Sequence, residues 1–175
     1  MQVPNVKHAM CAAVITFALA APALSQTPDV PITEPMSLSG PRFGVTALSN
    51  GIVRKLKEDG LSVAPAVSQF GWQFEKQWAS SEGGPSAVTE WVVLLGGLDQ
   101  GVVLPSLSWL AGMRTRGGTE FGVGPNVTPV GVALVLAAGM TVRAGALNIP
   151  FNLAVVPSKS GTRVSVLTGF NRRKQ

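Results

Sequence analysis

The chain has 175 residues, of which 46% are hydrophobic and 13% charged, with a mean hydropathy of +0.31 and a formal net charge of +5. This length suits one domain, and the apolar content excludes an intrinsically disordered chain. There is one histidine, one cysteine and no tyrosine. Because His8 and Cys11 both lie in a segment that we expect to be removed, histidine- or cysteine-based catalysis, disulfides, and zinc or haem sites are not expected.

Residues 1–25 have the three-part layout of a secretory signal peptide. A short polar start ends at Lys7 and His8, residues 9–21 form a largely apolar run of 13 residues, and small residues precede a cut before Gln26. This run is shorter than the roughly 20 residues that a membrane-spanning helix needs. Removing the segment leaves a net charge of +4. Without a basic stripe, that charge does not indicate nucleic-acid binding.

Residues 26–41 follow as a proline-rich leader. They contain Pro28, Pro31, Pro35 and Pro41, and proline fixes φ and removes a backbone donor. We therefore predict an extended, partly mobile segment, with the folded part beginning near Arg42.

The rest of the chain alternates between large apolar and small or polar residues with a period of two, which predicts strands. Phe70, Trp72 and Phe74, for example, alternate with Gly71 and Gln73. Turn signals separate the runs, and short connections between consecutive strands predict an antiparallel up-and-down meander. Closure removes the exposed sheet edges, so the predicted fold is an all-β barrel of about eight strands. The predicted strands lie near 42–48, 67–79, 87–96, 101–114, 119–124, 130–143, 147–156 and 162–171.

The large apolar face is predicted to point outward, toward lipid. An eight-stranded barrel has an interior just wide enough for side chains. Filling it with Trp72, Trp78, Trp109 and the aliphatic residues of the same face would overcrowd it, whereas the opposite face carries small and polar residues that fit a narrow lumen. Several predicted strands also exceed the roughly 9–11 residues that a tilted membrane strand needs.

Residues 42–171 resemble the small eight-stranded outer-membrane β-barrel proteins of Gram-negative bacteria. The resemblance is architectural: a signal peptide, an even strand count, regular alternation, and a final strand with the sequence VSVLTGF. The chain departs from the family in the basic tail at 172–175 that follows this strand. The resemblance implies a protein of the outer membrane, with membrane lipid as a partner. The outward apolar face and the missing catalytic residue types predict a non-enzymatic structural, adhesive or binding role.

Several charged residues of the predicted strands can face the lumen. Glu75 and Glu90 on neighbouring strands could form a carboxylate pair for acid–base chemistry. The favoured interpretation is an ion-pair network, because no nucleophile or histidine accompanies the pair and buried charges need partners. The network predicted from the alternation comprises Arg42, Glu75, Glu90, Arg114, Glu120, Arg143 and Arg163.

The only long connection, 49–66, is the candidate region for contact with a partner. It contains the sequence GIVRKLKEDG, which predicts a helical turn or two ending at Gly60, and it carries Arg54, Lys55 and Lys57. Neither a cofactor nor a bound metal is expected, and the sequence identifies no protein partner or small ligand.

Two other functions stay open at this point. One is a soluble secreted or periplasmic lipocalin-like barrel that binds a small apolar ligand, which requires Trp72 and Trp109 in the core. The other is a lipid-modifying enzyme of the outer membrane, in which Glu75, Glu90 or Glu120 would have to supply the base, since no histidine remains.

Overall fold

The computed structural model describes residues 37–80 and 84–172 of the chain. The predicted signal peptide 1–25 and the first part of the predicted leader, 26–36, lie outside these residues, as do 173–175 of the basic tail. In the described ranges, no helix is long and apolar enough to cross a membrane.

Eight antiparallel strands follow one another around a closed barrel, each hydrogen-bonded to the next, and β1 pairs with β8 to complete the ring. This arrangement confirms the predicted all-β meander and barrel. The elements are β1 Gly40–Leu48, α1 Asn50–Glu58, β2 Ala66–Ser80, β3 Ser86–Gly96, a 3-10 turn Leu98–Gln100, β4 Leu104–Arg114, β5 Thr119–Thr128, β6 Gly131–Ala144, β7 Leu147–Ser158, β8 Gly161–Gly169 and a two-residue β9 Asn171–Arg172, which pairs with β7.

Because successive residues of a strand point to opposite faces, the two-residue period sorts the side chains into a lumen and an outer surface. All four tryptophans point outward, with exposed fractions from 38% for Trp109 to 63% for Trp78. The soluble alternative placed Trp72 and Trp109 in the core, and neither lies there. We call the exposed, outward large apolar side chains of β1 to β8 the apolar belt: Phe43, Val45, Phe70, Trp72, Phe74, Trp78, Trp91, Val93, Leu107, Trp109, Met113, Phe121, Val123, Val127, Val132, Leu134, Leu136, Met140, Val142, Leu147, Phe151, Leu153 and Val166.

Most predicted strand limits lie within two residues of the observed ones, and two differ by more. The fifth strand was predicted to end at residue 124, but β5 continues to Thr128, because Pro125 and Asn126 read as turn residues and are instead paired with Leu134 and Ala133 of β6. The fourth strand was predicted to begin at residue 101, whereas the connection from β3 first forms the 3-10 turn and β4 begins at Leu104.

Helix α1 lies at the end of the barrel where the connections β1–β2, β3–β4, β5–β6 and β7–β8 are found, which we call the helix end; the opposite end is the turn end. Ile52 and Leu56, one helical turn apart, are buried against Leu48, Val67 and Leu104. The helix ends before Gly60, whose φ of +83° stops it. Helix α1 thus covers apolar surface at this mouth.

Side-chain hydrogen bonds join the 3-10 turn to the end of the long connection and the start of β2. The Gln100 side chain accepts a hydrogen bond from the Ala64 amide at 2.7 Å and donates to the Ala66 carbonyl at 2.8 Å. Asp99 accepts a hydrogen bond from the Ser68 hydroxyl, which holds the pKa of Asp99 below its ordinary value. The two loops therefore form one surface at the helix end.

Inward-facing glycines allow neighbouring strands to approach closely, and β5 offers a matched pair. A Cβ added at Gly124 would overlap the Trp109 carbonyl oxygen, whereas at Gly122 its nearest neighbour would be Leu110 Cβ at 3.5 Å. We expect Gly124→Ala to lower the free energy of unfolding by about 1–3 kcal/mol through overpacking, and Gly122→Ala to be tolerated. Urea unfolding, followed by the mobility of folded and unfolded protein on gels, measures both. Equal stabilities would contradict this account of strand packing.

Candidate functional site in the barrel lumen

A cluster of charged side chains fills the lumen at the turn end. It consists of Arg42, Glu75, Glu90, Arg114 and Glu120, which come from five consecutive strands, β1 to β5. They meet because all five strands place inward-facing positions at this end of the barrel; Glu75 pairs across the sheet with Glu90, and Glu120 with Arg114. We call this set the charge cluster.

Arg114 is the centre of the charge cluster. Its guanidinium binds Glu75 in a bidentate manner, with Nη1 donating to Oε1 at 2.7 Å and Nη2 contacting Oε2. The same guanidinium donates to Glu120 Oε2 from Nε at 3.0 Å and from Nη2 at 2.7 Å. The remaining Glu120 oxygen accepts a hydrogen bond from Asn152 Nδ2 at 2.6 Å. Such charge-assisted, bidentate contacts are among the strongest polar contacts in proteins.

Arg42 is held by neutral oxygen atoms. Its Nε donates to Gln73 Oε1 at 3.0 Å, and its Nη2 donates to the Leu38 carbonyl at 2.6 Å. Leu38 is itself fully buried, and its amide donates to Glu75 Oε1 at 3.2 Å. The residues just before β1 therefore close the turn end. No sequence signal distinguished Leu38 from the rest of the leader, whereas the inward positions of Gln73 and Asn152 could have been read from the alternation.

Glu90 differs from the other two carboxylates. Within the described residues, its carboxylate has one polar contact, with Oε1 at 3.9 Å from Arg114 Nη2. The side chain borders an internal cavity above the charge cluster. Since Glu75 and Glu120 are engaged by Arg114, Glu90 is the member of the cluster that remains available to a molecule in the lumen.

The three carboxylates have oxygens within 4.8 Å of one another, a spacing at which acidic groups can hold a divalent cation. Arg114 already supplies a positive charge at this place, because it bonds to Glu75 and Glu120 and lies next to Glu90. The arrangement is therefore that of an ion-pair network that fills the lumen at the turn end.

Arg143 and Arg163 do not join the charge cluster. Arg143 is exposed near the turn after β6, with no ion-pair partner in the described part of the chain. Arg163 lies near the start of β8, toward the helix end, where it is buried with 7% exposure. Of the loop candidates, Arg54 and Lys57 are exposed on α1, and Lys55 forms an ion pair with Asp59 at 3.1 Å.

A cavity of about 90 Å³ occupies the lumen between these polar regions. Part of its wall is apolar, polar side chains such as Gln73 and Ser108 also line it, and both Glu90 and Arg163 border it. Ile52 and Leu56 of α1 line it at the helix end. The apolar wall consists of Val92, Leu94, Leu110, Val135, Val156 and Leu167.

Comparison of the chain with models of protein families, with curated proteins and with solved structures finds no match.

The charge cluster predicts a large stability effect at Arg114. Removing one partner of a buried ion pair leaves uncompensated charge and costs about 3–5 kcal/mol, so we expect Arg114→Gln to lower the free energy of unfolding by that order. Arg143→Gln, the matched control on an exposed arginine, should change it by less than about 0.5 kcal/mol. Urea unfolding of the two variants beside the unmodified protein measures the difference. Unchanged stability of the Arg114 variant would contradict the central role of this guanidinium.

Proposed function

We propose that this protein is an integral outer-membrane β-barrel with a non-enzymatic structural or binding role. The observation that carries the proposal is the apolar belt. It includes outward side chains from all eight barrel strands, and these side chains are about 40–70% exposed on the isolated barrel.

Lipid is the partner that best suits such a surface. Monomeric soluble proteins rarely expose a contiguous apolar patch larger than a few hundred Å², whereas the belt surrounds the barrel. The strands have 9 to 15 residues, and a tilted membrane strand needs roughly 9–11. An apolar outer face around a lumen with a buried polar network is the distribution expected for a membrane barrel.

A structural or binding role agrees with the partners that the lumen carboxylates have. Glu75 and Glu120 are held by Arg114, which leaves Glu90 as the one candidate base of the charge cluster. In the described part of the chain, no hydroxyl, thiol or imidazole is hydrogen-bonded to the Glu90 carboxylate. The nucleophile-and-base arrangement of a lipid-modifying hydrolase is therefore not assembled around these carboxylates.

Cell fractionation tests the proposal directly. The exported protein should be recovered with the outer membrane and released by detergent, and its folded form should migrate differently from the boiled form on a gel. Recovery as a detergent-free periplasmic monomer would contradict the proposal.

A substitution in the belt separates lipid contact from simple surface exposure. Leu136→Arg places a charge on the lipid-facing side of β6, and we expect it to destabilise the barrel in bilayers by about 2–4 kcal/mol. Val103→Arg, at an exposed apolar position in the β3–β4 connection, is the matched control and should change stability little. Folding into lipid vesicles under urea measures both variants. Equal effects would show that the belt does not meet hydrocarbon.

The orientation in the membrane can be tested with cysteine probes. Because the strand number is even, the first strand begins and the last strand ends at the turn end of the barrel. With that end in the periplasm, the helix end faces the outside of the cell. We expect a cysteine introduced by Lys57→Cys to react with a membrane-impermeant maleimide on intact cells. The matched Arg143→Cys variant, at the turn end, should react only after the outer membrane is permeabilised. The reverse labelling pattern would invert the orientation.

A further inference from the structure

The lumen cavity has the size and the wall of a binding site for a small amphiphile. A cavity needs roughly 10–15 Å³ to hold one water molecule, and this one measures about 90 Å³. Valine and leucine side chains pack together in one part of its wall, and polar side chains such as Gln73 and Ser108 line the rest. An apolar wall offers water no hydrogen-bond partners, so this part of the cavity favours a hydrocarbon group.

Arg163 is a buried cation that has no counter-ion in the described ranges. Its Nη1 donates to Thr128 Oγ1 and its Nη2 to Asn126 Oδ1 at 2.9 Å, and both acceptors are neutral. Its Nε is buried and has no acceptor. Among the described residues, no carboxylate lies within ion-pair distance of it, since the buried carboxylates belong to the charge cluster at the opposite end. Buried charges are normally paired, so a bound anion would supply the partner that the described residues do not give this guanidinium.

The charges along the lumen give a ligand one favourable orientation. In the charge cluster, three carboxylates face two guanidiniums, and Glu90 borders the cavity. At that end both guanidiniums are already engaged, Arg114 by Glu75 and Glu120 and Arg42 by neutral oxygen atoms. The carboxylate of a ligand is therefore attracted to Arg163 at the other end. The exposed Arg54 and Lys57 on α1 add positive charge at the same mouth, which favours the approach of an anion.

We propose that the cavity binds a single-chain aliphatic carboxylate of short or medium length. The carboxylate binds the Arg163 guanidinium, and the chain lies along the apolar wall toward Glu90, whose position limits the chain length. Because the inward faces of the strands and α1 build the site, the proposal holds whether or not the apolar belt contacts lipid.

Methyl NMR of valine-labelled protein in lipid nanodiscs tests this with octanoate as the probe. Val92, Val135 and Val156 report on the lumen, while Val93, Val132 and Val166 report on the outer surface. We expect saturable shifts at the lumen valines and only non-saturable partitioning effects at the outer ones. Octanol and octylammonium have the same chain length but no anionic group, and they should bind more weakly by a factor of about ten or more.

Two pairs of variants locate the site. Arg163→Gln should lower the affinity for octanoate about tenfold and leave that for octanol unchanged, while Arg163→Lys should retain part of the preference for the anion. Ala137→Leu fills the cavity and should weaken both ligands, whereas Ala138→Leu, its outward neighbour on β6, should weaken neither.

Three results would overturn the proposal: absence of saturable lumen shifts with octanoate, equal octanoate binding by Arg163→Gln, or equal affinities for octanoate and octanol. If Arg163→Gln does not fold, as judged by gel mobility, the comparison of octanoate with octanol in the unmodified protein still tests whether the cavity prefers an anion. Loss of octanoate binding would leave outer-membrane recovery unaffected, so the failure of this proposal and that of the proposed membrane location are distinguishable.

Discussion

The pairing of β1 with β8 closes the sheet, and the other features of the molecule depend on that closure. In an open sheet, a two-residue alternation only distinguishes two faces. In a closed barrel, the same alternation gives one set of side chains a narrow interior and the other the whole outer surface. The eight strands of this chain carry their tryptophans and most of their large apolar residues on the outer set, and their arginines, glutamates and small residues mainly on the inner one. Burial is therefore inverted relative to a soluble barrel.

A narrow lumen imposes its own requirements on polar groups. Buried carboxylates and guanidiniums are costly unless they bond to one another, and the charge cluster meets this requirement at the turn end, where Arg114 joins Glu75 and Glu120. Helix α1 lies at the helix end, where Ile52 and Leu56 make apolar contacts. Between the two lies a cavity with a partly apolar wall and with Arg163, which has no ion-pair partner among the residues that the structure describes. The charge cluster, which stabilises the barrel, and the proposed binding cavity thus lie at different depths of the same lumen.

The sequence predicted the barrel and the facing of its side chains because both depend on local alternation and on short turns. The depth of a residue along the barrel depends on strand register, which is a property of neighbouring strands. For this reason Arg42, Glu75, Glu90, Arg114, Glu120, Arg143 and Arg163 were grouped as one network, whereas Arg163 lies toward the opposite end and Arg143 is exposed. The extension of β5 through Pro125 was missed because proline and asparagine usually mark turns. The burial of Leu38 was missed because its neighbours suggested only an extended leader.

Quenching of tryptophan fluorescence by brominated lipids tests most directly whether the apolar belt contacts hydrocarbon. Trp72, Trp78, Trp91 and Trp109 are the only tryptophans of the chain, and all point outward. Our account predicts that bromine atoms on the acyl chains quench the fluorescence of the folded protein in vesicles. The strongest quenching is expected when the bromine atoms lie at the depth of Trp91 and Trp109, which are paired residues on β3 and β4. Fluorescence that acyl-chain bromines leave unchanged, but that a water-soluble quencher reduces, would contradict the account.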